Sequence, residues 1–267
     1  METLGPALVV ALGVLGLLIG SFLNVVIYRV PRDESVVEPP SHCPACGRQL
    51  RWYDNVPVVS WVVLGGRCRD CRSPISVRYI LVEIFTGLSF AGIGWAVLDG
   101  SGSSLVLALT LCYAAAVGVA LALIDLAVHR LPDTLTLPAP YVLTVGLALT
   151  AALGGRSENL VRAVLGGAAC YIFFFVLALI YPSGMGGGDV KLAPSLGLLL
   201  GWAAWPAVII GIFGSFVLAG IFVALLAARG RAGRTTQVPF GPWLILGCVV
   251  GLTAWEPITR WYVDMAL

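Results

Sequence analysis

Two carboxylates stand out in a very apolar chain. Asp125 lies in ALIDLAVHRLPD and Asp189 in GMGGGDVKL. An ionisable side chain beside hydrocarbon is costly and marks a functional site by default. Two carboxyls that meet cannot both ionise cheaply, so one keeps its proton. The protonated member then acts as acid, while the ionised member activates water against a peptide carbonyl. That is the chemistry of aspartic proteolysis. The glycines before Asp189 suit it, because glycine permits positive φ and close approach of another backbone. Gly186 and Gly188 are therefore expected to face a substrate. Lys191 is expected to orient the substrate or Asp189, or simply to mark a membrane face.

A second constellation is made of sulfur. SHCPACGRQL carries Cys43 and Cys46, and GGRCRDCRSPI carries Cys68 and Cys71. The two C-x2-C pairs are separated by 21 residues, one beyond the usual zinc-knuckle range of roughly 15–20. Four thiolates so spaced can close a tetrahedral Zn2+ site. A polar segment of about 50 residues has little core of its own, so a metal staple is the expected device. Two disulfides are the alternative, disfavoured in a reducing compartment. Cys112, Cys170 and Cys248 fall in apolar runs and read as inert small hydrophobes.

These residues must be positioned by membrane helices. Of 267 residues, 59% are hydrophobic and 11% charged, against about 25% charged in soluble domains. The small net charge of +2 argues against a nucleic-acid partner. The expected fold is an all-α polytopic membrane protein with about eight transmembrane helices. These lie near 4–28, 79–98, 103–124, 134–154, 160–181, 192–204, 206–228 and 239–256, each judged against the ~20 residues a span needs. The sixth is short and reads as either a span or a re-entrant piece. The first reads as a retained membrane helix rather than a removed signal, with no basic residue ahead of it and no cleavage pattern standing out.

Basic residues orient the chain. With the 29–78 loop in the cytoplasm, alternation places 125–133, 182–191 and 229–238 on the same side. Those segments hold 13 of the 16 basic residues, Lys191, Arg231 and Arg234 among them, and leave Arg156, Arg162 and Arg260 opposite. Both termini then lie outside. Asp125 and Asp189 emerge at one cytoplasmic rim, where helix meets water.

Blander roles compete for single residues. A lone Asp125 would do no more than end a span. Asp133 reads as a helix N-cap, and His129 and Arg130 as interface anchors. Glu83, about one turn inside the second helix, is suspicious unless paired with Arg78 or another arginine. Trp52, Tyr53, Trp61 and Tyr79 would pack the small domain or grip its membrane edge. As a whole, a transporter with coupling carboxylates is one rival, although such acids more often sit at mid-membrane in broken helices. A non-catalytic zinc-anchored assembly protein is another, and would need the cysteines but not both aspartates.

Taken in order, SFLNVVIYRVPR, the cysteine loop with WYDNVPVVSW, ISVRYILVE, LIDLAVHRLPDTLTLP, GMGGGDVKL and PFGPWLILG resemble the type IV prepilin peptidases. These are membrane aspartic proteases of the G-x-G-D type, and the resemblance covers essentially the whole chain. It implies that Asp125 and Asp189 are the catalytic pair and that Cys43, Cys46, Cys68 and Cys71 bind zinc. It implies cleavage, after a glycine, of the short basic leader of prepilins and pseudopilins at the cytoplasmic face of the cell membrane. The complete cysteine loop implies N-methylation of the new terminus with S-adenosylmethionine. One departure is Ile80, where the family usually has proline. No glycine-rich nucleotide-binding pattern places that cofactor. The implied domains are a first transmembrane helix over 1–28, a cytoplasmic zinc-binding domain with its four cysteines over 29–78 and a membrane peptidase domain over 79–267.

Overall fold

The structure, a computed structural model, describes residues 4–182, 184–230 and 238–266. Among these residues it is helical, without a strand. The helices are α1 (Leu4–Arg29), α2 (Val59–Val63), α3 (Val77–Val97), α4 (Gly102–Val128) and α5 (Asp133–Thr136). They continue with α6 (Pro138–Gly154), α7 (Ser157–Ile180), α8 (Gly187–Ala203), α9 (Trp205–Ala228) and α10 (Gly241–Ala266). Among the described residues, seven stretches are long and apolar enough to cross a membrane: α1, α3, α4, α5 with α6, α7, α9 and α10. The chain is a multi-pass membrane protein of the expected class, with α8 as its short helix. At 17 residues, α8 is about 25 Å long, less than the ~30 Å hydrocarbon core.

Local chemistry sets the boundaries. Ser76 caps α3, its Oγ accepting the Arg78 N–H at 3.3 Å. His129, at φ 53, takes the left-handed conformation that ends α4. Pro206 occupies the first turn of α9, where a missing N–H costs nothing. Only Ala204, in extended conformation, separates α8 from α9.

Three expected boundaries need correction. α4 runs to Val128, so Asp125 lies within its last turn rather than just beyond the helix. α8 begins at Gly187, five residues before the expected start, so Asp189 sits in its first turn. α10 continues through Pro257 to Ala266, where the mixed polarity of WEPITRWYVDMAL hides a helix. Arg231 and Arg234, counted in the charge argument, lie outside the described residues.

The contacts divide the chain into two units, Met1–Ala120 and Leu121–Leu267. In the first, α1 lies directly on α3. A Cβ at Gly20 would fall 2.7 Å from Glu83 Cα, so the backbones meet as small residues allow. Leu12, Phe90, Ala108 and Cys112 form its buried cluster. In the second, α8 is held against α7 more tightly still. A Cβ on Gly197 would come within 2.4 Å of the Gly166 carbonyl oxygen. Arg162 then closes the far end of α8. Its guanidinium donates to the carbonyls of Gly201, Trp202 and Ala203 at 2.7, 2.9 and 3.0 Å, groups a helix C-terminus otherwise leaves unpaired.

Candidate active site and metal centre

The two aspartates come together inside the second unit. Asp125 projects from the last turn of α4 and Asp189 from the first turn of α8. They are only 5% and 7% exposed. Neither has a cation within ion-pair distance among the described residues. Asp125 Oδ2 instead accepts the backbone N–H of Gly241, the first residue of α10, at 3.0 Å. Asp189 lies ahead of the apolar part of α8 and outside the seven crossing stretches. Burial first, and the nearby charge of Asp125 second, push its carboxyl up to about 7. A pair of buried carboxyls sharing one proton is the arrangement that general acid and base work requires.

Of the two properties expected of these glycines, positive φ is not used. Gly186 has φ −71, and Gly187 and Gly188 are helical, so none uses the left-handed region. What they provide is close approach. A Cβ on Gly188 would lie 2.8 Å from Leu131 Cβ, and one on Gly186 would lie 3.2 Å from Asp189 Oδ2; Gly187 faces open space. Leu131 also reaches the other aspartate's neighbour, since its Cδ2 would lie 3.2 Å from a Cβ on Gly241. One leucine thus packs against the glycines beside both acids. Neither Leu131 nor Gly241 was singled out by sequence reasoning. The only signal for them was a glycine before a proline at a helix start.

Two polar assignments change. Asp133 is the first residue of α5, follows Pro132 and caps nothing with its side chain. Its Oδ1 instead accepts from Lys191 Nζ at 2.6 Å. Lys191 is therefore turned to Asp133 rather than to Asp189. In the first unit, Glu83 makes no ion pair with Arg78. Its Oε2 accepts the Val58 N–H at 2.7 Å. Val58, at φ 62 and ψ −52, is the centre of a γ-turn closed by Val59 N–H to Pro57 O at 2.6 Å, a strained form for a β-branched residue. Glu83 pins that turn. Of the loop aromatics, Trp61 packs under Gly66, but Trp52 is 82% exposed.

The four loop cysteines converge. Their Sγ atoms all lie within 4.8 Å of one another, and all are free thiols. Each C-x2-C forms a tight knuckle. Cys43 N–H donates to Arg48 O and Gly47 N–H to Cys43 O; Cys68 N–H donates to Ser73 O and Arg72 N–H to Cys68 O, all at 2.8–3.0 Å. Gly47 and Arg72 supply the positive φ that each turn needs. The Ser73 hydroxyl, and then the Cys46 backbone, pull the Cys43 thiol down to about 6. Four converging thiols are a donor set suited to a tetrahedral metal ion. Cys112, Cys170 and Cys248 are buried in the helical core, as expected.

A nucleotide-like cofactor needs a cavity with a few well-placed polar groups. Two cavities of about 280 and 340 Å³, along α7 and between α7 and α9, are lined by side chains such as Phe173, Val176, Ile209 and Phe216. They offer no polar side chain to hold such a group.

Comparison with known proteins covers both units. Residues 14–97 match the family described as the bacterial peptidase A24 N-terminal domain, and residues 112–225 match the type IV leader peptidase family. A prepilin leader peptidase/N-methyltransferase of Myxococcus xanthus (strain DK1622) is 41% identical over 87% of this chain and 68% of its own. The protein of that name from Aeromonas hydrophila is 38% identical over 92% and 91%. The one from Neisseria gonorrhoeae is 35% identical over 98% and 97%. No solved structure matches significantly.

Proposed function

Because this chain belongs to the type IV leader peptidase family, we propose that it is a membrane aspartic endopeptidase. It removes the basic leader of type IV prepilins or pseudopilins, with Asp125 and Asp189 as its water-activating pair. The observation that carries this reading is the burial of both aspartates in one unit, close enough for the charge of Asp125 to act on Asp189.

Asp189 holds the shared proton and Asp125 is the ionised member. Asp125 takes a proton from water as its oxygen attacks the scissile carbonyl carbon, and Asp189 gives its proton to the carbonyl oxygen. The tetrahedral diol then collapses: one hydroxyl returns its proton to Asp189 as the C=O re-forms, the C–N bond breaks, and the leaving amine takes up the proton held by Asp125. The substrate's apolar helix lies in the bilayer and its leader crosses the pair at the membrane surface. The distribution of Arg and Lys supports the cytoplasmic side of the cell membrane for this surface. The backbone of Gly186 and Gly188 borders the path of the extended peptide, with Leu131 and Asp189 packed against it, and Lys191 with Asp133 flanks that path.

Cys43, Cys46, Cys68 and Cys71 hold Zn2+ as a structural staple. The ion replaces the core that a short polar loop cannot build. The names of the relatives support a second activity, N-methylation of the new terminus with S-adenosylmethionine. No residues are assigned to that step.

The test is incubation of the purified full chain with a prepilin and labelled S-adenosylmethionine. Leader release with label on the mature terminus is the expected result. Release without label removes the transferase and keeps the peptidase. No release favours the transporter or assembly reading.

A further inference from the structure

The segment Pro239–Phe240–Gly241 is linked to Asp125 although 116 residues separate Gly241 from it. A helix leaves its first N–H groups without intrahelical partners. In α10 the first of these, on Gly241, is spent on Asp125 Oδ2 at 3.0 Å, and the bond is buried. The fit allows no side chain there. A Cβ on Gly241 would lie 2.8 Å from that same oxygen and 3.2 Å from Leu131 Cδ2.

Gly241 is itself held from behind. The Phe240 ring packs on Phe216 of α9, with centroids 5.1 Å apart, and on Phe174 of α7 at 6.4 Å. Phe174 is fully buried. The Phe240 carbonyl accepts the N–H groups of Trp243 and Leu244 at 3.0 and 3.1 Å. Aromatic packing on one side and the first helical turn on the other therefore fix the direction of the Gly241 N–H.

We propose that Gly241 is a positioning residue for the peptidase reaction: its backbone N–H holds Oδ2 of Asp125, leaving Oδ1 as the oxygen that takes the proton from water. This rests on the aspartate pair being catalytic. A donor locked in place needs no reorganisation as the reaction proceeds. Loss of a hydrogen bond to a charged group is expected to cost about 10- to 100-fold in rate.

The test replaces Gly241 in the full chain with glycolic acid, so that an ester oxygen stands where the N–H was and the shape is kept. Prepilin cleavage is measured alongside Gly241→Ala and Asp125→Asn. The expected result is a fall in kcat of about 10- to 100-fold for the ester, with KM within twofold and the melting temperature lowered only by several degrees, so that the chain stays folded in the assay. Gly241→Ala should also lose kcat, because its Cβ displaces the carboxylate. Wild-type kcat for the ester, with Asp125→Asn inactive, overturns the proposal and leaves the pair intact. A fall in kcat that vanishes once rates are referred to the folded fraction also overturns it, since the N–H would then only start a helix. Cleavage by Asp125→Asn overturns the underlying reading instead.

Discussion

Lys191 Nζ lies 2.6 Å from Asp133 Oδ1, two residues along α8 from Asp189. The pair joins the start of α8 to the start of α5. Both side chains are well exposed, at 41% and 57%, and exposed pairs contribute only about 0–1 kcal/mol. Lys191→Met should therefore leave the melting temperature within a few degrees and cleavage within about threefold. Cleavage lost as fully as in Asp189→Asn would instead place the ammonium in the catalytic machinery.

Neighbouring glycines in GMGGGD should respond differently to the same methyl group. Gly188→Ala puts a Cβ 2.8 Å from Leu131 Cβ, whereas Gly187→Ala meets nothing within 4 Å. The turn carrying Asp189 must shift in the first case only. Cleavage rates are expected to fall more than about tenfold for Gly188→Ala and to stay near wild type for Gly187→Ala. Equal sensitivity at the two positions would contradict the packing described.

The pH dependence follows from Asp189. Its folded value, about 7, stands above its ordinary 3.8. Between these values the native state binds more protons than the unfolded chain, so this group lowers stability as pH rises. Above about 7 the cost is complete; below 3.8 it is absent. Asp189→Asn should thus melt at a higher temperature than wild type at pH 8, with the difference shrinking toward pH 5. Cleavage by the wild-type chain should decline as pH rises through about 7, as the pair loses its shared proton. These apparent values belong to the pair. A rate that is flat from pH 6 to 9 would count against proton sharing.

Metal content tests the cysteine site. Elemental analysis should find about one zinc per chain, and Cys46→Ser or Cys71→Ser should lower it. Chelation should expose the loop near Trp61 to protease while the membrane helices persist. Two disulfides in purified protein, with no metal, would contradict the assignment.

Much of this architecture was legible in the sequence because the bilayer imposes length and polarity on every crossing. The cysteine site was legible for a similar reason: ligand spacing is a covalent constraint. Asp125 and Asp189 stood out because a carboxyl is conspicuous among apolar residues. Less visible were contacts made by backbone. The Gly241 N–H carries no side-chain signature, and Leu131 looks like any apolar residue. The α8 start was misplaced because three glycines suggested a loop, although Gly187 and Gly188 are already helical and Gly188 packs on Leu131. Asp133 looked like a cap by residue type, but its partner, Lys191, is 58 residues away. Glu83 looked like half of an ion pair, yet it serves a single strained turn.

The most direct measurement is prepilin processing in membranes by Asp125→Asn and Asp189→Asn, each expressed at wild-type level. Each asparagine keeps the shape and removes the titrating group. The account predicts that either change alone lowers leader removal by at least about 100-fold. Full processing by either variant would contradict it.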